Sequence, residues 1–144
     1  MEKNEEIFVD SNFFISLFND LDSLHNKAKI IVERFVKSKP KIVISNFIFL
    51  ETVTVLSQRV NRKTAYSAGE KLLNEEFCKI IHVDEGLQNV TWGIFHEVKK
   101  KNTSFVDCSI LAVISYMGIK KLLTFDTEDF AGLRRKYSFS FYAK

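Results

Sequence analysis

Two short apolar runs in this chain end in an aspartate: Ile7-Phe8-Val9-Asp10 and Leu122-Leu123-Thr124-Phe125-Asp126. Two further acids stand where a charge is out of place. Glu51 has Phe47, Ile48 and Val55 as its i−4, i−3 and i+4 neighbours, positions that share one helix face. Asp107 has Ile110, Leu111 and Ile114 on its face. A carboxylate on an apolar face costs several kcal/mol unless something compensates it. Four such acids gathered at one place would also repel one another, and a divalent cation is the simplest remedy. Mg²⁺ suits a carboxylate cluster without His or Cys, because it favours oxygen ligands and keeps several waters. The common chemistry of such a cluster is phosphoryl transfer or hydrolysis, in which the ion neutralises charge on the phosphate and acidifies a water. Ser11, Asn12, Ser104 and Thr124 are polar neighbours suited to orienting waters or carboxylates.

Each strand-end or helix-start acid has a plainer use as well. Asp10 can cap the helix that follows it, and Asp126 the turn Thr127-Glu128-Asp129, since acids are common at such positions. Ser104-Phe105-Val106-Asp107 reads as a capping box with Asp in place of Glu or Gln. Glu51 has no such role two turns into its helix. His25, His82 and His96 lack metal-ligand spacing and read as surface or core residues. Trp92 and the fourteen Phe residues read first as core.

Positioning these acids requires an alternating framework, and the periodicity supplies one. Ile7 to Val9 predicts a buried strand and Ser11 to Phe18 a short helix. Ser23 is expected to cap the next helix, with Leu24, Ala28, Ile31, Val32, Phe35 and Val36 as one apolar stripe; Lys39-Pro40 ends it. Lys41 to Ile44 predicts a second strand, and Ser45 caps a helix from about Asn46 to Val60. A more polar helix is expected over Lys63 to Asn74. Cys78 to Val83 predicts a third strand, with Asp84 capping a helix whose face is Leu87, Val90, Ile94 and Val98. Lys99-Lys100-Lys101-Asn102 is a solvated break. Ser104 to Met117 predicts an apolar helix stopped by Gly118, Lys121 to Phe125 a fourth strand, and Ser138 to Tyr142 a short fifth. Nearly all-apolar strands alternating with helices indicate a parallel sheet covered on both faces. In such sheets ligands bind outside the carboxyl ends of the strands, the rim where Asp10 and Asp126 fall and where the helices of Glu51 and Asp107 begin.

Composition narrows the classes. A chain of 144 residues fits a single domain that can bury roughly two-thirds of its unfolded surface, so neither disulfides nor a structural metal is needed. One Pro and five Gly argue against collagen-like or turn-dense all-β architectures. The net charge of +3 permits nucleic-acid binding without arguing for it. Cys78 and Cys108 lie in apolar runs without a C-x-x-C pair and read as buried thiols of a cytoplasmic protein. The acidic start, Met1 to Glu6, is expected not to be a signal peptide, and no apolar run reaches the roughly 18 residues of a membrane span.

Four pieces now combine: Phe8-Val9-Asp10-Ser11-Asn12, Ser45-Asn46-Phe47 to Leu50-Glu51, Ser104-Phe105-Val106-Asp107-Cys108-Ser109-Ile110-Leu111-Ala112, and Leu123-Thr124-Phe125-Asp126-Thr127-Glu128-Asp129-Phe130. In this order and spacing they resemble the PIN-domain ribonuclease family, and in size the VapC-type toxins of type II toxin–antitoxin pairs. The resemblance runs from Ile7 to about Phe141. It implies a three-layer α/β/α PIN-like domain with a central parallel sheet of four to five short strands. It further implies Mg²⁺- or Mn²⁺-dependent hydrolysis of RNA phosphodiesters, with Asp10 and Asp107 as principal metal ligands and Glu51 and Asp126 completing the acidic pocket. Asp129 also fits the slot of the late acid; Asp126 is preferred because it directly ends its strand. Ser104 matches a family position that commonly carries Ser or Thr. The implied partners are an RNA substrate, a cognate antitoxin and a second copy in a homodimer, with no membrane. RNA approaching an acidic pocket needs cations around it, and Arg59, Arg62, Lys63, Lys99, Lys100, Lys101, Arg134, Arg135 and Lys136 are the candidates; as solvated helix ends and a loop they also need no special explanation. The competing readings are a non-catalytic PIN-like RNA-binding or protein-interaction module, a housekeeping RNA-processing nuclease without an antitoxin, and a receiver-like phosphotransfer domain. The complete acid set disfavours the first. The last lacks paired acids after the first strand.

Overall fold

Ile7, Phe8 and Val9 have no exposed surface at all, and the rest of the architecture is arranged around them. They belong to strand β1 (Glu6–Val9), the centre of a five-stranded, wholly parallel sheet. The structure, a computed structural model, describes residues 4–142; the first three residues of the acidic start and the last two of the chain lie outside the described residues. The other strands are β2 (Lys41–Ser45), β3 (Cys78–Ile81), β4 (Lys121–Leu123) and β5 (Ser140–Phe141). They lie in the order β3-β2-β1-β4-β5. The chain winds outward from β1 in one direction and returns through β4 in the other, so the crevice between β1 and β4 is the point where strand order reverses.

The helices are α1 (Ser11–Phe18), α2 (His25–Ser38), α3 (Asn46–Arg59), α4 (Arg62–Leu72), α5 (Glu85–Glu97), α6 (Phe105–Met117) and the short α7 (Arg134–Tyr137). They pack around the sheet in an α/β/α arrangement, α1 against α2 and α3, α3 against α4, and α5 against α6. The expected caps at Ser45, Asp84 and Ser104 are present, their side chains accepting from the backbone N–H groups of Ile48, Leu87 and Asp107. Gly118, at φ +68°, ends α6 in the left-handed conformation. Cys78 and Cys108 are buried free thiols, and burial pushes both up to about 11.

Three local expectations fail. Ser23 does not cap α2, which starts at His25 without a side-chain cap; the Asp22 carboxylate instead accepts from Leu24 N–H and from the Ser16 hydroxyl, tying the turn back to α1. The inner face of α2 is narrower than its sequence stripe, because Ala28 and Ile31 are buried while Leu24 and Val36 are exposed. On α5 the buried face runs through Leu87, Thr91 and Ile94, whereas Val90 is exposed. Thr91 is admitted to the core because its hydroxyl donates to the Leu87 carbonyl.

Replacing Phe8 with Ala should destabilise the fold by about 3–5 kcal/mol, the usual result of emptying a large core site. Gly118→Ala should lose only about 1 kcal/mol: nothing lies within 4 Å of the added Cβ, so only the left-handed backbone resists it. Denaturant titration of the two variants separates the packing effect from the backbone effect.

Candidate active site

The hydrogen-bonding of β1 to β4 runs one residue past the strand, with Asp10 N–H donating to the Leu123 carbonyl at 2.9 Å. This places the Asp10 side chain at the mouth of the β1–β4 crevice, 5% exposed. Its two oxygens are held separately. Oδ1 accepts from Ser11 N–H at 2.8 Å, the cap of α1. Oδ2 accepts from the Thr124 hydroxyl at 2.9 Å, and the Asn12 amide lies 3.4 Å away.

Asn12 brackets the crevice. Its Nδ2 donates to Thr124 Oγ1 at 3.0 Å and to Asp126 Oδ2 at 3.1 Å, while its Oδ1 accepts from Phe125 N–H at 3.0 Å. Asp126 N–H also donates to Thr124 Oγ1, at 3.1 Å. The Thr124 hydroxyl therefore gives its one proton to Asp10 and accepts from two donors, which uses its whole capacity.

Glu51 comes from α3, the helix that Ser45 starts at the end of β2. It is half-buried, and the Ser11 hydroxyl donates to its Oε1. Asp107 occupies the third position of α6 and is 8% exposed. Its Oδ2 accepts from Ser104 N–H at 2.9 Å, and Ser104 Oγ accepts from Asp107 N–H at 3.0 Å. The capping box is thus real, and the same carboxylate also faces the other acids.

The electrostatics show which acids are neighbours. Burial, reinforced by the Asp107 and Glu51 carboxylates, pushes Asp10 up to about 7 despite the opposing hydrogen bonds of Thr124 and Ser11. Burial, with Asp129 and Glu51 adding to it, pushes Asp107 up to about 6 against the Ser104 bonds. Asp129 is raised by burial and by Asp126, with Lys100 pulling it down. The acids form a row, Asp10 and Glu51 beside Asp107, Asp107 beside Asp129, Asp129 beside Asp126. The late slot is occupied from two sides: Asp126 is tied to Asn12 on the Asp10 side, and Asp129 bears on Asp107. Among the described residues no three His, Cys, Asp or Glu are gathered closely enough to hold a metal ion by themselves. An open row of carboxylates with supporting hydroxyls and amides fits a hard cation that keeps much of its water.

Of the expected basic residues, Lys100 is brought to the acids. Its ammonium donates to the Glu128 carbonyl, and Thr103 Oγ1 donates to the Asp129 carbonyl at 2.6 Å. Together they clip the Lys-rich loop to the 3-10 turn Thr127–Phe130. Lys99 donates to the His96 carbonyl, Lys136 pairs with Glu97, and Arg62 and Lys63 line a groove between α3 and α4. Nothing in the sequence marks Thr103 or the donation from Ser11 to Glu51. Both depend on residues that only the fold makes adjacent.

A parallel 3-2-1-4-5 sheet with an acidic crevice at its reversal point defines an α/β domain of the PIN type. The PIN domain family matches residues 7–136, and the chain belongs to that family. It is 33% identical over 121 residues to the 23S rRNA-specific endonuclease VapC20 of Mycobacterium tuberculosis, covering 83% of this chain and 88% of that protein. The crystal structure of VapC20, described as a sarcin-ricin loop cleaving toxin, superposes with a TM-score of 0.77 at 30% identity, over 88% of this chain and 95% of that one. A toxin–antitoxin complex from Klebsiella pneumoniae shares the fold at a TM-score of 0.64 and 23% identity, over 88% and 92% of the two chains. No helix among the described residues is long and apolar enough to cross a membrane.

The raised acids make a stability prediction for the metal-free protein. Folded Asp10 holds its proton up to about 7, whereas in the unfolded chain it is released near the ordinary 3.8. Between those values the folded state binds more protons, so stability should fall as pH rises. Asp10→Asn should flatten that decline, leaving the variant more stable than the parent above pH 7 in chelator. Melting temperatures across this pH range test it, and a parent that gains stability as pH rises from 4 to 7 would contradict it.

Proposed function

We propose that this chain is a divalent-cation-dependent endoribonuclease and the toxin of a type II toxin–antitoxin pair, working in the cytoplasm as a single PIN-like domain over residues 1–144. The observation that carries this reading is the burial of Asp10 and Asp107, from distant parts of the chain, side by side at the reversal of the sheet. Two carboxylates that are both raised by burial and by neighbouring acids are a poor arrangement for stability and a good one for holding Mg²⁺ or Mn²⁺. When bound, the ion would supply charge neutralisation at the phosphate and a more acidic water.

The chain's own residues prepare the site. Thr124 and Asn12 fix Oδ2 of Asp10, and Ser104 fixes Oδ2 of Asp107, so neither carboxylate rotates freely. Glu51 is oriented by Ser11 and Asp126 by Asn12, which brings two further negative groups to the rim. The substrate class follows the relatives. The name of the 33% identical protein makes 23S rRNA the first RNA to test, and the neighbouring toxin–antitoxin complex supports a protein antitoxin as partner. A homodimer belongs to the same reading.

Wild type and an Asp10→Asn variant, incubated with ribosomal RNA in Mg²⁺, Mn²⁺ or chelator, test the proposal. Cleavage should require the ion and fall on the order of 100-fold or more in Asp10→Asn and in Asp107→Asn. Cleavage that survives chelator, or survives both substitutions, removes the site assignment. Asn12→Ala should reduce cation affinity or activity about 10–100-fold, as loss of a group that orients a metal ligand usually does. Calorimetry with Mn²⁺ reads the first effect and gel-resolved cleavage the second.

A further inference from the structure

The surface of α5 carries a second face that the core does not use. Beyond the edge of the face formed by Leu87, Thr91 and Ile94, the rings of Trp92 and Phe95 are 65% and 41% exposed. They are stacked, with centroids 5.8 Å apart and planes within 17°. Both also touch Phe105, at 6.4 Å and 5.8 Å, and Phe105 lies 6.5 Å from Phe47. The last of these rings leads toward the acids: Phe47 is one turn before Glu51 on α3 and shares its face, while Phe105, the first residue of α6, links it to the α5 rings. A continuous aromatic surface therefore runs from solvent to the edge of the acidic crevice. The loop Lys99–Asn102, exposed at Lys99 and Lys101, joins the helix that bears Phe95 to the helix that bears Phe105.

We propose that this aromatic surface is a stacking platform for an unpaired base of the RNA substrate, flanking the phosphate held at the acids. The inference rests on the ribonuclease reading and narrows its substrate class to RNA whose target bases are single-stranded. Exposed aromatic faces beside cations are the usual means of holding unpaired nucleotides. A paired A-form helix keeps its base faces stacked inside and offers nothing to such a surface. The competing occupant, a second protein copy, is poorly served by these rings alone. Their exposed parts amount to on the order of 200 Å², against the ~800 Å² per partner of a stable interface.

Trp92 is the only tryptophan in the chain, so its fluorescence reports on the platform directly. The probe is a single-stranded oligoribonucleotide of roughly 12 nucleotides, a common site size, compared with the same strand in a duplex. Binding is read in the Asp10→Asn background, where cleavage does not interfere. Single-stranded RNA should quench the fluorescence saturably and the duplex should not. Trp92→Leu should weaken single-strand binding about 5- to 150-fold, the usual loss for one stacked base, at unchanged melting temperature. Trp92→Phe should keep affinity within about threefold, since a phenyl face still stacks. In the active protein, Trp92→Leu should raise KM for single-stranded RNA with little change in kcat. If the protein cleaves RNA but its fluorescence does not respond, or Trp92→Leu binds as tightly as the parent, the platform is refuted while the nuclease stands. Conversion of a dimer to a monomer by Trp92→Leu with unchanged RNA affinity would assign the face to a second copy and overturn the proposal. A wild-type protein that neither binds nor cleaves any RNA removes the nuclease reading itself, and the platform with it.

Discussion

A carboxylate held almost dry beside other carboxylates is the constraint around which this molecule is organised. Asp10 follows three residues of β1 with no exposed surface, so it cannot slide or turn toward water without breaking the centre of the sheet. A one-residue shift of β1 would reverse the face of every side chain on it. The protein instead surrounds the acid with fixed donors: Ser11 N–H, the Thr124 hydroxyl and the Asn12 amide. These offset part of the desolvation, yet Asp10 still stands at about 7 and Asp107 at about 6. Stability is lower at this rim than an apolar replacement would allow, which is common where a site is built for binding or chemistry.

The topology explains how acids from four parts of the chain reach that rim. Strands β1 and β4 adjoin where strand order reverses, so Asp10 and the Thr124–Asp129 segment meet although more than a hundred residues separate them. Helix α6 brings Asp107 in from its first turn and α3 brings Glu51 in from its second. Capping and site formation are therefore one arrangement here. The backbone bonds that start α1 and α6 also fix the orientation of Asp10 and Asp107, and a helix start ordinarily favours the negative charge placed there.

What the sequence makes legible follows the range of the interactions involved. Ile7 to Val9, the caps at Ser45, Asp84 and Ser104 and the Gly118 stop are all local signals, and each appears in the fold. Where a distant partner decides, the local signal misleads. Ser23 is a good capping residue, but Asp22 reaches the turn first because Ser16 of α1 anchors its carboxylate. Val36 continues the α2 stripe and is nonetheless exposed, because the neighbours that bury Ala28 and Ile31 do not extend over the last turn of the helix. Trp92 has the composition of a core residue, but it sits on the side of α5 away from Leu87, Thr91 and Ile94. The acids themselves are legible as anomalies. Their order along the rim, with Asp126 on Asn12 and Asp129 beside Asp107, is not, because it depends on how a single 3-10 turn docks against the Lys-rich loop.

The acidic rim also sets a problem for any polyanion that must reach it. A net charge of +3 over 144 residues gives little general attraction, and Lys99, Lys100 and Lys136 already make contacts within the protein. Until a cation is bound, the crevice repels a phosphate, so electrostatics alone cannot both draw RNA in and hold it in register. A contact that is indifferent to charge resolves this. Stacking of a base on a planar ring needs no counter-ion and loses little as salt rises, whereas phosphate contacts weaken steeply. Placing aromatic rings on the Glu51 side of the crevice lets the substrate be held by its bases while its backbone crosses the acids. The same division of labour selects for RNA with unpaired bases, since only these can turn a face toward Trp92 while a neighbouring phosphate lies in the crevice.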